Sequence, residues 1–456
     1  MSPHAPARTG ASAPRPDLDG RLAAARGLRP PATEGLTGRI RDVVVLASSS
    51  RGGSSMVAET LRASEALLHM QGEINPFLRL TGLGAPHSGD CDRLDAGHLA
   101  GLDPDRRALL DTELAHDIGS PAPWGDPRDD ERFVTDVAAR LVMQWPDVPV
   151  DPVVLARTAG SVLARMRAAA RAPGAEHPGP ERYFLMLLGE LAGLGLPFNP
   201  RCYDLPARLL HAETADIRST AVPGETLIEE PPFILPRPWR PATAHDAATR
   251  PLVVKTPSNA YRFGFLRALF PRARFRIVHL TRNPAAAVNG LHDGWLHHGF
   301  HAHRMARPLG IGGYVDRHPE NRWWWKFDLP YGWQEFTRAP LLDVCAFQWR
   351  SAHRAVLDEP DGADGPVERI TVRFEDLIGT AAGRVACFER LADRLGIPFD
   401  GAFRRAARDG IGPVVATAPP RAGRWRERAD AIRAALGPED KEVAERLGYT
   451  DEAEWI

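Results

Sequence analysis

The stretch DVVVLASSSRGGSSM, residues 42–56, runs from an apolar β-branched segment into a string of small residues. DVVVLA at 42–47 reads as a buried strand and SSSRGGSS as a glycine loop. Beyond it, Met56, Ala63, Leu67 and Met70, flanked by Val57, Leu61 and Leu68, carry a helical spacing. A loop of this kind at a helix start binds anions, because the first helical N–H groups lack intrahelical partners and the helix dipole places about half a positive charge there. Gly52 and Gly53 let the backbone come close to a phosphate, Ser54 and Ser55 add hydroxyl donors, and Arg51 adds a fixed cation. The plainer reading is a glycine turn capped by serine. Two familiar motifs fail here. No GxxxxGK[ST] occurs and no lysine precedes Lys255, which argues against hydrolysis of ATP or GTP by a standard phosphate loop. GxSxG is absent as well, so the serines do not form a nucleophile elbow.

Outward from this loop, the α/β signal resumes at 251. PLVVK reads as a strand, Tyr261, Phe265, Leu266 and Leu269 as one face of a helix, RFRIVHLT as a strand, and the segment after Pro284 as a helix. A second βαβ unit favours a parallel sheet. In HLTRNPAAAVNG, residues 279–290, Arg282 follows directly on a strand and the next helix opens at the same sheet edge, where α/β proteins bind ligands. Two anion grips are therefore expected on one edge. Further on, 342–357 reads as a helix, and ERITVRFEDL alternates Ile370, Val372 and Phe374 as a half-buried strand. Val385, Phe388, Leu391 and Leu395 mark another helix.

The remaining segments read as additions to this frame. Residues 1–38, rich in Pro, Ala, Gly and Arg, are expected to be a disordered or loosely attached arm. One α/β domain is expected over 39–456, with insertions at about 83–250 and 296–340. The first contains probable helices in ERFVTDVAARLVMQW and DPVVLARTAGSVLARMRAAA and a Pro-rich, looped part over 219–250; the second is an irregular segment full of His and Trp.

Composition narrows the function. The chain has 456 residues, 43% apolar and 25% charged, and its 57 basic side chains nearly balance 58 acidic ones. A generic polyanion binder is excluded, so any anion must be gripped locally. The longest apolar stretch, Tyr183 to Leu196, falls short of the roughly 20 residues a bilayer needs and is interrupted by Glu190. The first residues lack the apolar core of a secretory signal, which makes the cytoplasm the expected location. Cys91, Cys202, Cys345 and Cys387 stand far apart, fitting buried free thiols better than disulfides or zinc ligands. HDGWLHHGFHAHR lacks a zinc-type spacing, so no metal is expected. The aromatics of NRWWWKFDLPYGW suit an acceptor-pocket wall or lid, with core packing as the alternative. Without a basic stripe they do not point to nucleic acid. Only three lysines occur, Lys255, Lys326 and Lys441, so each invites the question of why arginine would not serve.

With these segments in hand, the chain resembles the sulfotransferases that use 3'-phosphoadenosine 5'-phosphosulfate (PAPS), in their bacterial form. SSRGGSSM resembles the family's 5'-phosphosulfate loop. VVKTPSNAYRFGFLRALFPRARFRIVHLTRNP resembles its middle stretch, with a lysine at one strand end and the 3'-phosphate arginine at the next. ERITVRFEDL and RAGRWRERA resemble two later blocks, in the same order. The resemblance implies a P-loop NTPase-like fold, a three-layer arrangement of a parallel sheet flanked by helices, and PAPS as cosubstrate. It implies that Arg51, Gly52, Gly53, Ser54 and Ser55 hold the 5'-phosphate and sulfonate. Arg282 would hold the 3'-phosphate, assisted by Arg421 or Arg424. Where the family normally has serine eight residues after that arginine, this chain has Gly290 preceded by Asn289, so either Asn289 substitutes or the arginines carry more of the binding. Lys255 is expected to neutralise the leaving phosphate and Glu73 to take the acceptor proton, with His292, His297 and His298 as rival bases. The activity implied is direct in-line sulfonyl transfer to a hydroxyl or amine of a small molecule. The alternatives are a nucleotide-binding or regulatory protein of the same fold without turnover, and a phosphate-transferring kinase.

Overall fold

The computed structural model describes residues 17–170, 179–205, 209, 224–360, 367–412, 417 and 421–455. Nine strands occur among them: β1 (Asp42–Ala47), β2 (Leu68–Met70), β3 (Ile118–Pro121), β4 (Trp239–Pro241), β5 (Leu252–Lys255), β6 (Arg274–Thr281), β7 (His301–Arg304), β8 (Trp324–Lys326) and β9 (Glu368–Arg373). Seven form one sheet in the order β4-β3-β2-β5-β1-β6-β9, and β7 and β8 make a separate antiparallel pair. Strands β2, β5, β1, β6 and β9 run parallel, while β3 and β4 extend the β2 edge antiparallel. The result is a mixed α/β architecture with a seven-stranded, mostly parallel sheet flanked by helices.

The alternation along β1 explains the layering. Val43, Val45 and Ala47 pack in one core with Leu68, Val254 and Ile277. Val44 and Leu46 point the other way, into a second core with Leu61, Val253, Val278 and Ile370. Both faces of a parallel strand must be covered, which is why DVVVLA is apolar throughout rather than alternating. A third core gathers Trp295, Tyr314, Trp325 and Trp349 beneath the helices Pro284–Leu296 and Leu341–Leu357.

Several expectations are corrected. Within the predicted loose arm, Leu18–Leu28 is an α-helix whose Leu22 and Ala25 are buried in the first core; residues 1–16 lie outside the described part. The helix after the glycine loop ends at Leu61, and Leu68 and Met70 belong to β2. Leu67 faces the second core and Leu68 the first, and a buried run of this length fits helix and strand equally well by pattern. The stretch 83–250 contributes β3 and β4 to the main sheet, and 239–249 is a strand followed by the helix Ala244–Thr249 rather than loop. Part of its Pro-rich segment, 219–223, lies outside the described residues. Phe374 starts the helix Phe374–Ile378 instead of ending β9. The helices Asp130–Gln144, Pro152–Ala170 and Ala381–Leu395 fall where their periodicity predicts. All four cysteines are buried, and none forms a disulfide among the described residues.

Candidate functional site

The sheet order lays out the site. At the C-terminal ends of five parallel strands stand Glu73 just beyond β2, Lys255 ending β5, the loop Ser48–Gly53 after β1, Arg282 after β6 and Phe374 after β9. Neighbouring strands lie about 4.8 Å apart, so the row spans roughly 19 Å. β1 sits where the chain reverses its direction of growth across the sheet, between β5 and β6, and open α/β sheets bind ligands at that point. A cavity of about 810 Å³ runs along the row, and all of these residues except Ser48, Ser49 and Gly52 line it.

Two glycines shape the loop. Gly53 caps the helix Ser54–Leu61 at φ +99°, and a Cβ there would stand 2.3 Å from Phe374 Cε2. A Cβ on Gly52 would meet the Ser49 carbonyl oxygen at 2.9 Å. Arg51 itself has φ +62°, a left-handed conformation that a long side chain rarely adopts. Upstream, Ser50 Oγ donates to Asp328 Oδ1 at 2.7 Å, and the buried Ser49 hydroxyl has no protein hydrogen-bond partner. Gly53, Ser54 and Ser55 reach the cavity; Gly52 holds the turn from behind.

Three arginines converge beside the loop. Arg282 Nη1 donates to the Arg51 carbonyl at 3.1 Å, and its guanidinium lies 4.6 Å from the centre of the Phe374 ring. Arg51 lies over Phe300 at 5.2 Å. Burial lowers Arg51 to about 10, and the neighbouring Arg282 and Arg424 add to the shift; burial likewise lowers Arg282 to about 10, with Arg424 contributing. Asp293 and Asp204 oppose the shift at Arg51, and Glu375 opposes it at Arg282. Arg424 pairs with Asp293, whereas the exposed Arg421 pairs with Glu427; both line the cavity. Asn289 Oδ1 accepts from Arg428 at 2.6 Å, so its carbonyl is engaged within the protein. Gly290 lies against the two key arginines: a Cβ there would sit 3.5 Å from Arg51 Cβ and 3.7 Å from Arg282 Nη1, ordinary contact distances.

One strand over, Lys255 Nζ donates to Glu73 Oε1 at 2.5 Å. Burial raises the Glu73 carboxyl above the ordinary glutamate range, although Lys255 opposes the shift. Both side chains keep some exposure to the cavity, 27% for Glu73 and 19% for Lys255.

The histidines are arranged differently from expectation. His292, His297 and His298 are not among the described residues that line the cavity. The His297 ring packs 4.0 Å from that of His298, burial lowers it to about 3, and its carbonyl accepts from the buried Lys326 ammonium. The histidine of this region that does reach the cavity is His303, on β7, with Nε2 3.5 Å from Asp92 Oδ2. Burial works against ionisation of Asp92, yet His303, Arg262 and the Leu329 N–H hold it well below the usual carboxylate range. Asp328, also on the cavity wall, is raised to about 6 by burial despite hydrogen bonds from Ser50 and from Tyr261 at 2.7 Å. Sequence reasoning missed His303, Asp92 and Asp328. Asp328 stood inside the quoted aromatic segment, whose Trp324 and Trp325 are buried, while Phe327 and Asp328 face the cavity. Asp92 carried no signal, because its partners are distant in the chain.

Among the described residues, no group of three or more His, Cys, Asp or Glu is placed to hold a metal ion, and no helix is long and apolar enough to cross a membrane. What the fold and site define is an α/β protein with a cavity at the switch point of its sheet, one corner of which gathers three arginines. No family model and no curated protein matches the chain. It is similar to one solved structure, the sulfotransferase domain from the curacin biosynthetic pathway, over 90% of this chain and 99% of that one, at 11% identity and a TM-score of 0.33.

Proposed function

We propose that the protein is a PAPS-dependent sulfotransferase acting on a hydroxyl or amine of a small acceptor. The observation that carries this reading is the contact between Arg282, at the end of β6, and the carbonyl of Arg51, whose loop follows β1, the strand next to the one that ends in Lys255 of the Lys255–Glu73 pair. A donor with two phosphates and a sulfonate presents anionic groups at two ends of one nucleoside, and a doubly cationic corner beside a lysine–carboxylate pair suits that charge distribution. Gly53, Ser54 and Ser55 offer N–H and hydroxyl donors to the 5' end; Arg282, with Arg424, offers guanidinium to the 3'-phosphate.

In the reaction proposed, the acceptor oxygen or nitrogen bonds to sulfur as the bond between sulfur and the 5'-phosphate oxygen breaks. The electron pair of that bond leaves on the phosphate. Lys255 is suited to neutralise the growing negative charge there. Glu73 takes the acceptor proton; its upward-shifted carboxyl makes it a better base than an exposed glutamate, and such assistance typically contributes about 10² to 10⁴ in rate. The ion pair between them holds both groups at the reacting edge until the donor competes for the ammonium.

Two measurements test the reading. Calorimetry with adenosine 3',5'-bisphosphate should give saturable binding that ATP does not displace at equal concentration. Incubation with ³⁵S-labelled PAPS and a metabolite extract should give labelled product, reduced by Glu73→Gln and by Lys255→Ala. Binding without turnover across a broad acceptor panel would favour a regulatory module, and displacement by ATP a kinase.

A further inference from the structure

We propose that the acceptor is an uncharged, largely apolar alcohol or phenol, seated along the wall that Pro232, Ile234 and Leu235 form on the β2 side of the cavity and that the Phe300–Phe327 pair continues towards Arg51. The proposal rests on the functional reading above and names its substrate class. Three observations carry it.

The first is the contrast in charge along the cavity. At the β1–β6 corner Arg51, Arg282 and Arg424 crowd one another, although Asp293 pairs with Arg424. On the β2 side, the ion pairs are made within the protein: Lys255 with Glu73 at 2.5 Å, Arg79 with Glu230 at 2.5 Å, Arg140 with Glu229 at 3.1 Å, and Arg62 with Glu59 at 2.9 Å. An acceptor carrying its own carboxylate, phosphate or ammonium would have to break one of these pairs or enter a partly dehydrated site uncompensated.

The second is the wall itself. Pro232, Ile234 and Leu235 are half-buried and face the cavity, and the Ile234 side chain lies over Gly72, where a Cβ would come within 3.1 Å of it. Gly72 adjoins Glu73. An apolar body resting on Ile234 therefore has its hydroxyl end beside the proposed base.

The third is backbone strain. Among the described residues, three non-glycine residues have positive φ: Arg51 at +62°, Phe300 at +54° and Phe327 at +64°. All three line this cavity. The Phe300 and Phe327 rings stand 4.9 Å apart, half-buried, and Phe327 is admitted by Gly294, whose Cβ would lie 2.4 Å from Phe327 Cζ. Bulky aromatics are held in the left-handed region only where their surroundings over-determine them, and such positions cluster at ligand clamps. The pair thus presents fixed apolar faces that adjoin the proline–isoleucine wall, the Phe300 N–H donating to the Pro231 carbonyl at 2.6 Å.

The test is direct binding by calorimetry of a matched series, 4-phenylbutan-1-ol, 4-phenylbutanoate, 4-phenylbutylamine and maltose, to the full chain with and without saturating adenosine 3',5'-bisphosphate. The alcohol is expected to bind at least about tenfold more tightly than the other three. Ile234→Asp, and the milder Ile234→Ser should the first fail to fold, are expected to weaken the alcohol by about tenfold or more. Equal or tighter binding of the carboxylate, the amine or the sugar, or an Ile234→Ser variant with unchanged alcohol affinity, overturns the proposal. If the bisphosphate binds while the alcohol preference is absent, this inference fails alone. Selective alcohol binding without bisphosphate binding supports the apolar site and overturns the sulfotransferase reading instead.

Discussion

Arg282 reaches across from β6 to donate a hydrogen bond at 3.1 Å to the backbone carbonyl of Arg51, and Gly290 lies against both residues. The two segments expected to grip anions, 231 residues apart in the sequence, meet in one cavity. Part of its charge is held by geometry as well as by side-chain choice: Phe374 supports the Arg282 guanidinium and also forbids a side chain at position 53.

Arg282→Ala should therefore act on the ligand and on the loop together. Loss of a hydrogen bond to a charged group costs about 1.5 to 3 kcal/mol, so the affinity for adenosine 3',5'-bisphosphate is expected to fall by roughly 10- to 150-fold. Arg282→Lys should recover only part of it, since an ammonium cannot reproduce the planar stack on Phe374. Calorimetry on the three proteins checks this; equal affinities would remove Arg282 from the site.

Gly290 and Gly53 should respond oppositely to added atoms. Gly290→Ser places its Cβ at ordinary contact distances and its hydroxyl near Arg282, so folding should be unaffected and bisphosphate affinity should rise by several-fold. Gly53→Ala meets both a positive φ and the Phe374 ring at 2.3 Å, so it should lower the melting temperature and abolish binding. Melting curves with and without the bisphosphate distinguish the two outcomes.

Glu73 must be ionised to accept a proton, and burial raises its carboxyl above the ordinary range. The acid limb of kcat/KM should accordingly lie at higher pH than an exposed glutamate would give, with activity lost as pH falls through it. Glu73→Gln should lower kcat by about 10² to 10⁴ and flatten that limb. His297→Asn should retain the wild-type pH profile, because His297 is outside the cavity lining. A profile in which the histidine variant alone loses the limb would reassign the base.

Asp328 offers a stability test. In the native protein its carboxyl stands at about 6 against an ordinary 3.8. Between these values the native state binds more protons than the unfolded chain, so stability falls as pH rises from about 4 to about 6, by roughly 3 kcal/mol at the upper end. Asp136 contributes in the same window, which makes the difference between wild type and Asp328→Asn the quantity to read. Urea unfolding at a series of pH values should show a shallower fall for the variant; parallel curves would mean that Asp328 does not titrate there.

Arg140 donates to Asp117 at 2.8 Å and to Glu229 at 3.1 Å, all three side chains being buried. Arg140→Met should leave two carboxylates uncompensated and cost about 3 to 5 kcal/mol. The double replacement that also neutralises both acids, Asp117→Asn with Glu229→Gln, should recover part of that loss in urea unfolding.

The sequence by itself determined the parallel frame and the positions of its loops. Runs such as DVVVLA and PLVVK are apolar on both faces, which only a strand covered twice requires, and glycine and proline mark where each strand hands over to a helix. For the same reason Arg51, the two glycines, Lys255 and Arg282 were legible: strand ends at one sheet edge follow from local pattern alone. Only the tertiary structure decided which of these groups meet. Strand order puts β5 between β2 and β1, and that arrangement brings Lys255 onto Glu73. His303 with Asp92, Ser50 with Asp328, and the Ile234 wall over Gly72 join residues from separate parts of the chain. Their pairing depends on how helices and the β7–β8 hairpin dock on the sheet, a packing outcome that no spacing along the chain encodes.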